Sequence, residues 1–136
     1  MTRKGFPSMP GCAGAVLALA LLAASPVHAA ATANFQGLCT WNAGFTQFSC
    51  TFDAGRPASA PTACPGSFVW KYFWDFDDGS TAFTGSPVTT HVFPNGADRV
   101  MSLKAICWNG ETPVKVRHVC TTVGTPGCLQ VNGTWN

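Results

Sequence analysis

The sequence predicts an all-β sandwich, and three observations carry that expectation. Apolar and polar residues alternate with period two in several short runs: Phe48, Cys50 and Phe52 against Gln47, Ser49 and Thr51, and Met101, Leu103, Ala105 and Cys107 against Ser102 and Lys104. Turn formers separate the runs, at Asn42-Ala43-Gly44, Asp78-Gly79, Pro94-Asn95-Gly96 and Asn109-Gly110. After the first 30 residues no window of a dozen carries a helical period. Six or seven short strands with such turns call for two packed sheets.

The chain has 136 residues, and its beginning has the form of an export signal. Arg3 and Lys4 precede an unbroken apolar run from Ala13 to Ala24, and Val27-His28-Ala29 offers a small-residue cleavage site. The run is shorter than the ~20 residues a spanning helix needs, so no membrane span is expected in the mature chain. Residues 1–30 are therefore read as a signal peptide whose removal takes 29 to 33 residues, and 31–136 as one domain with a short cysteine-containing C-terminal tail. A secreted or periplasmic protein is the consequence. Its six basic and six acidic residues balance, which leaves no basic patch to mark a nucleic-acid partner.

From the N-terminus, Asn34 to Trp41 and Gln47 to Asp53 form a hairpin, with Phe35 and Cys39 as inward anchors. Residues Gly55 to Gly66 hold Pro57, Pro61 and Pro65 and make a loop. Trp70, Tyr72, Trp74 and Phe76 then share one face of a strand with Phe73 on the other, which predicts a central strand buried on both sides. Asp75 and Asp78 cap the turn that ends it, and Gly79 supplies a positive φ. Strands follow at Thr81 to Phe83 and Val88 to Phe93. The long run ending at Cys107 turns at Asn109 to Thr112 into a last strand, on which Val114, Val116 and His118 share a face opposite Lys115 and Arg117.

WDFDDGS at Trp74 to Ser80, followed by TGSPVTTHVF at Thr84 to Phe93 and a long alternating strand, resembles the PKD domain, the module named after polycystic kidney disease protein. Asn34-Phe35 and Cys50-Thr51-Phe52-Asp53 match the opening strands of bacterial members, so the resemblance spans nearly all of 31–136. The family has glycine where Asp77 stands, and tyrosines at Phe93 and near Arg99. The resemblance implies an immunoglobulin-like module, and with the strand pattern and the cysteine count the expectation is a disulfide-stabilised, immunoglobulin-like β-sandwich of about seven strands. Within it Trp74, Asp75, Phe76, Asp78 and Gly79 form the structural motif, and members serve as extracellular interaction or spacer modules.

Six cysteines remain beyond the signal, and an even number in an exported chain points to three disulfides rather than zinc, since no CxxC pair occurs. Cys39 and Cys50 flank a short hairpin and should pair. If the strand from Phe68 to Phe76 lies antiparallel to that from Val100 to Trp108, as in immunoglobulin-like sandwiches, Cys64 comes beside Cys107. Pairing outward from Asn109 to Thr112 would set Cys107 opposite Val114 and Cys120 opposite Met101, too far apart for a Cys107–Cys120 bridge, which leaves Cys120 for Cys128.

No catalytic constellation is visible. Asp75, Asp77 and Asp78 have no second acidic cluster to pair with, no GxSxG accompanies His91 or His118, and no cofactor motif occurs. The three aspartates are a candidate calcium site, although DxDDG places glycine one position early for an EF-hand loop. Trp41 and Trp108, at strand ends, are the candidate ligand-binding residues, because an aromatic ring open on one face can stack on a sugar or a partner side chain. The expected function is a secreted non-enzymatic interaction module that contacts an extracellular protein or polysaccharide. The alternative is a secreted inhibitor or accessory partner of an exported hydrolase such as a protease.

Overall fold

The computed structural model describes residues 29–136, so the expected export segment lies almost wholly outside the described residues. Among the described residues nine strands form: β1 (Gln36–Trp41), β2 (Phe48–Asp53), β3 (Val69–Asp75), β4 (Thr81–Thr84), β5 (Val88–Phe93), β6 (Arg99–Cys107), β7 (Gly110–Glu111), β8 (Lys115–Cys120) and β9 (Cys128–Gln130). They make two sheets, β1-β2-β5 and β4-β3-β6-β8-β9, with β7 hydrogen-bonded to β6. All neighbours are antiparallel except β8 and β9. The expected all-β, disulfide-stabilised sandwich is present, with nine strands instead of about seven. The additional ones, β7 and β9, have two and three residues, too few for an alternating pattern to announce them.

Alternation places the core. Phe48, Cys50 and Phe52 of β2 and Met101, Leu103 and Ala105 of β6 point inward from opposite sheets and are buried, with Phe35, Trp74, Phe93, Val119 and Leu129 between them. The aromatic rings meet edge to face where their electrostatics favour it: Phe35 and Trp74 lie 5.5 Å apart between centroids at 78°. Residues Cys39 and Cys50 stand directly opposite in the β1–β2 register, with Cα atoms 4.1 Å apart, so their bridge is part of this core. The C-terminal tail seals the outer edge of β1, where Gly37 and Asn136 exchange backbone hydrogen bonds and the Gly133 amide donates to the Cys39 carbonyl.

Cys64 joins Cys107 and Cys120 joins Cys128, with Cα separations of 5.8 and 5.6 Å. The register that leads there differs from the expected one. The hairpin after β6 turns on Trp108 and Asn109, with Cys107 opposite Gly110, and β8 then sets Met101 opposite Arg117 and Arg99 opposite Val119. Cys120 thus lies beyond the start of β6, still far from Cys107. On β8 the shared face of Val114, Val116 and His118 is the solvent face; Arg117 faces inward instead, its guanidinium 5.8 Å from the Phe35 ring and donating to Asn34 Oδ1.

The central strand also departs from expectation. The pairing of β3 with β6 shifts by one residue between Val69 and Lys71, a bulge that sets Val69 opposite Cys107 and Lys71 opposite Ile106. Trp70 therefore leaves the Tyr72–Trp74 face and is exposed. Nor is β3 buried on both sides: Trp74 is fully buried, whereas Phe73 sits opposite the exposed Phe83 on the outer face of the sheet.

Candidate functional site

The turn after β3 is built by its own carboxylates. Asp75 Oδ1 accepts the Asp77 amide at 3.0 Å, Asp78 Oδ1 accepts the Ser80 amide at 3.0 Å, and Gly79 takes φ 86°. Asp77 itself has φ 59°, a left-handed conformation that costs a non-glycine residue about 1 kcal/mol. Its side chain offsets this by capping the start of β6, where Oδ2 accepts the Val100 amide at 2.9 Å, while its carbonyl accepts from Arg99.

The three aspartates consequently diverge. Each is engaged by protein donors in a different direction, and among the described residues no group of three or more His, Cys, Asp or Glu side chains converges as metal ligands would. The carboxylates do not come together as a calcium cage.

Asp78 instead reaches the other sheet. Its Oδ2 lies 2.6 Å from His91 Nε2 on β5, its Oδ1 accepts the Ser80 hydroxyl, and the His91 ring stacks on Phe76. Burial pushes the Asp78 carboxyl up, but the hydrogen bonds from Ser80 and His91 outweigh it and hold the group below the usual carboxylate range. An Asp, a His and a Ser in contact invite a catalytic reading, yet the geometry is wrong for a relay. A triad needs the carboxylate on one imidazole nitrogen and the hydroxyl on the other. Here both face Nε2, with Ser80 Oγ at 3.4 Å, so the hydroxyl is a bystander to a clamp. The Asp78–His91 pairing joins residues 13 apart in sequence, and nothing in their local patterns announces it.

The two candidate tryptophans are not brought together. Trp41 is half-buried at the end of the small sheet, packed on Phe48 at 5.3 Å and covered by Gly96, where a Cβ would meet its ring at 3.0 Å. Trp108 lies at the opposite end, on the tip of the β6–β7 turn, and is 71% exposed. Sequence reasoning missed its neighbour: Phe68, 57% exposed, stacks on it with centroids 5.8 Å apart and planes within 19°, and the Trp108 amide donates to the Phe68 carbonyl. It also missed Trp70 and Phe83, both more than half exposed, with Lys71 Nζ 5.9 Å from the centroid of each ring. Period-two counting had assigned Trp70 inward, and only the bulge reverses it.

Fold and site together define a disulfide-stabilised β-sandwich with exposed aromatic residues on the outer face and one end of its larger sheet. Three disulfides are compatible with an oxidising extracellular or periplasmic setting. Among the described residues no helix is long and apolar enough to cross a membrane. No family model, curated protein or solved structure matches the chain.

Proposed function

We propose that this chain is a secreted, non-enzymatic interaction module of PKD type that contacts an extracellular polysaccharide or protein through the outer face and the Trp108 end of its larger sheet. One observation carries the reading. Trp70 and Phe83 on the larger sheet, and Phe68 and Trp108 at its end, are all more than half exposed, although the core has full aromatic packing of its own. Scattered apolar residues on a surface need no explanation, but four large aromatics on one sheet and at its end mark a contact surface. The Asp78–His91–Ser80 contact supports the non-enzymatic side of the proposal, since it serves to join the sheets and lacks the arrangement for proton relay.

The test is retention. Secreted protein is incubated with insoluble glucan, xylan and chitin and, separately, with the other proteins exported by its host. Retention on a glycan or a structural protein that is lost when Trp70, Phe83 and Trp108 are replaced by alanine is the expected outcome. Capture of an exported hydrolase, with its activity changed, would favour the accessory-partner alternative. Turnover of peptide or glycan by the pure protein, abolished in Asp78→Ala while the fold persists, would defeat the non-enzymatic reading.

A further inference from the structure

The bulge in β3 gathers a chemical group as well as exposing a ring. It sets Trp70 beside Lys71, and the Lys71 ammonium then lies 5.9 Å from the centroid of the indole and 5.9 Å from that of Phe83 on β4. Both rings are more than half exposed. Among the described residues Arg56 is paired with Asp53 and Lys104 with Glu111, whereas Lys71 is in no ion pair. We propose that Trp70, Lys71 and Phe83 form a binding site for an acidic glycan whose uronate units are spaced by neutral ones, a deepening that rests on the interaction-module reading.

Charge decides the first step. The faces of the two rings attract the ammonium and shield it from part of the water, so an arriving anion meets a partly desolvated cation. The approach is open, because at Gly85 an added Cβ would stand 3.7 Å from Nζ and the glycine carries none. Other charges on this face limit how many carboxylates it accepts. Lys71 stands opposite Ile106 and Ile106 opposite Glu111, whose carboxylate Lys104 takes at 3.0 Å, and Asp75 shares the Lys71 side of β3. With one unpaired ammonium and two carboxylates nearby, a second uronate in contact would be repelled. A phosphate polymer, whose binding rests on several cations at once, fits still less.

Area decides between a sugar and a protein. An aromatic side chain buries about 150–250 Å² when fully covered, so two rings already half covered offer roughly 200 Å² together. A protein interface of standard size takes about 800 Å² from each partner, far more than this group supplies. One or two pyranose units need only a ring-sized platform each. Their C–H faces pack on Trp70 and Phe83, while a carboxylate on the ring edge takes a charge-assisted hydrogen bond from Nζ, which is within reach of both platforms. Both rings lie outside the core cluster, so their alanine variants test binding without testing the fold.

The experiment is calorimetric titration of the secreted protein with three hexasaccharides, each also as its methyl ester: alternating glucuronate and N-acetylglucosamine, a xylan hexamer branched with glucuronate, and hexagalacturonate. One of the two spaced forms should bind more tightly than hexagalacturonate, and its ester about tenfold more weakly, the scale of one charge-assisted hydrogen bond. Lys71→Gln should match that loss, and Trp70→Ala and Phe83→Ala should each weaken binding severalfold. Gly85→Asp, which gives Nζ a carboxylate of its own, should also weaken it, whereas Lys115→Gln, removing an equal charge from β8, should change nothing. Failure of every uronate hexamer to bind, tighter binding of hexagalacturonate than of either spaced form, equal affinity for acid and ester, or full affinity in Lys71→Gln would overturn the site. So would a hexaglutamate peptide bound as tightly as the glycan. If a neutral insoluble glycan or an exported protein retained the chain while every uronate hexamer failed, the site would fall and the module reading would stand. If hexamers, insoluble glycans and exported proteins all failed, both would fall.

Discussion

The imidazole of His91 lies parallel to the ring of Phe76, 4.1 Å between centroids and within 5° of coplanar, and its Nε2 is 2.6 Å from Asp78 Oδ2. Phe76 and Asp78 follow β3 in the larger sheet and His91 is on β5 in the smaller one, so this stack and bond tie the two layers together at the side where β4 passes to β5. A buried carboxylate that loses such a partner is left uncompensated.

Removing the clamp should therefore cost more than an ordinary surface contact. His91→Ala, which strips the buried Asp78 carboxylate of its imidazole partner, is expected to lower stability by about 2 kcal/mol, the scale for leaving a buried hydrogen-bonding group without its partner. Urea unfolding followed by tryptophan fluorescence measures it. A midpoint within about 0.5 kcal/mol of wild type would mean that the contact holds nothing.

The same group makes stability depend on acid. Because the folded Asp78 carboxyl titrates below the unfolded one, the unfolded chain takes up the proton first as pH falls. Its stabilisation is present above the ordinary carboxylate range and is lost as pH drops through the folded titration. Asp98, whose carboxylate accepts both the amide and the hydroxyl of Thr121, shifts the same way at a more exposed site. Urea midpoints between pH 7 and pH 2 should fall on the acid side, and Asp78→Asn should fall less steeply. Parallel curves for the two proteins would remove Asp78 from the explanation.

Two tryptophans four residues apart should behave oppositely. Trp74→Ala empties the centre of the core and should cost about 3–5 kcal/mol, whereas Trp70→Ala, on the bulge, should change stability by less than about 0.5 kcal/mol. Thermal denaturation of both variants decides it. Equal losses would place Trp70 back in the interior.

The disulfides should rank by the chain they enclose. Cys64–Cys107 spans a sequence separation of 43, against 11 for Cys39–Cys50 and 8 for Cys120–Cys128. Loop-closure entropy puts the loss of the first near ~4 kcal/mol and of either other nearer ~3 kcal/mol. Paired cysteine-to-alanine variants, with non-reducing peptide mapping of the wild type, test both ranking and connectivity. A Cys107–Cys120 peptide would contradict the observed strand register.

Whatever is local was legible in the residues alone. The inward faces of β2 and β6 follow from period two, because successive side chains of a strand point to opposite sides whatever the strand pairs with. The turn at Asp75 to Ser80 follows from short carboxylates that bond amides two residues on and from a glycine free to take positive φ. What depends on pairing was not legible. A one-residue bulge opposite Ile106 and Cys107 sends Trp70 to solvent and ends the run of inward rings, and the turn at Trp108–Asn109 moves β8 three residues from its expected register. Period counting assumes an unbroken ladder, so it cannot place either break. The stack of Phe68 on Trp108 and the bond from His91 to Asp78 exist because strands distant in sequence end side by side, and only the tertiary structure decides which ends those are.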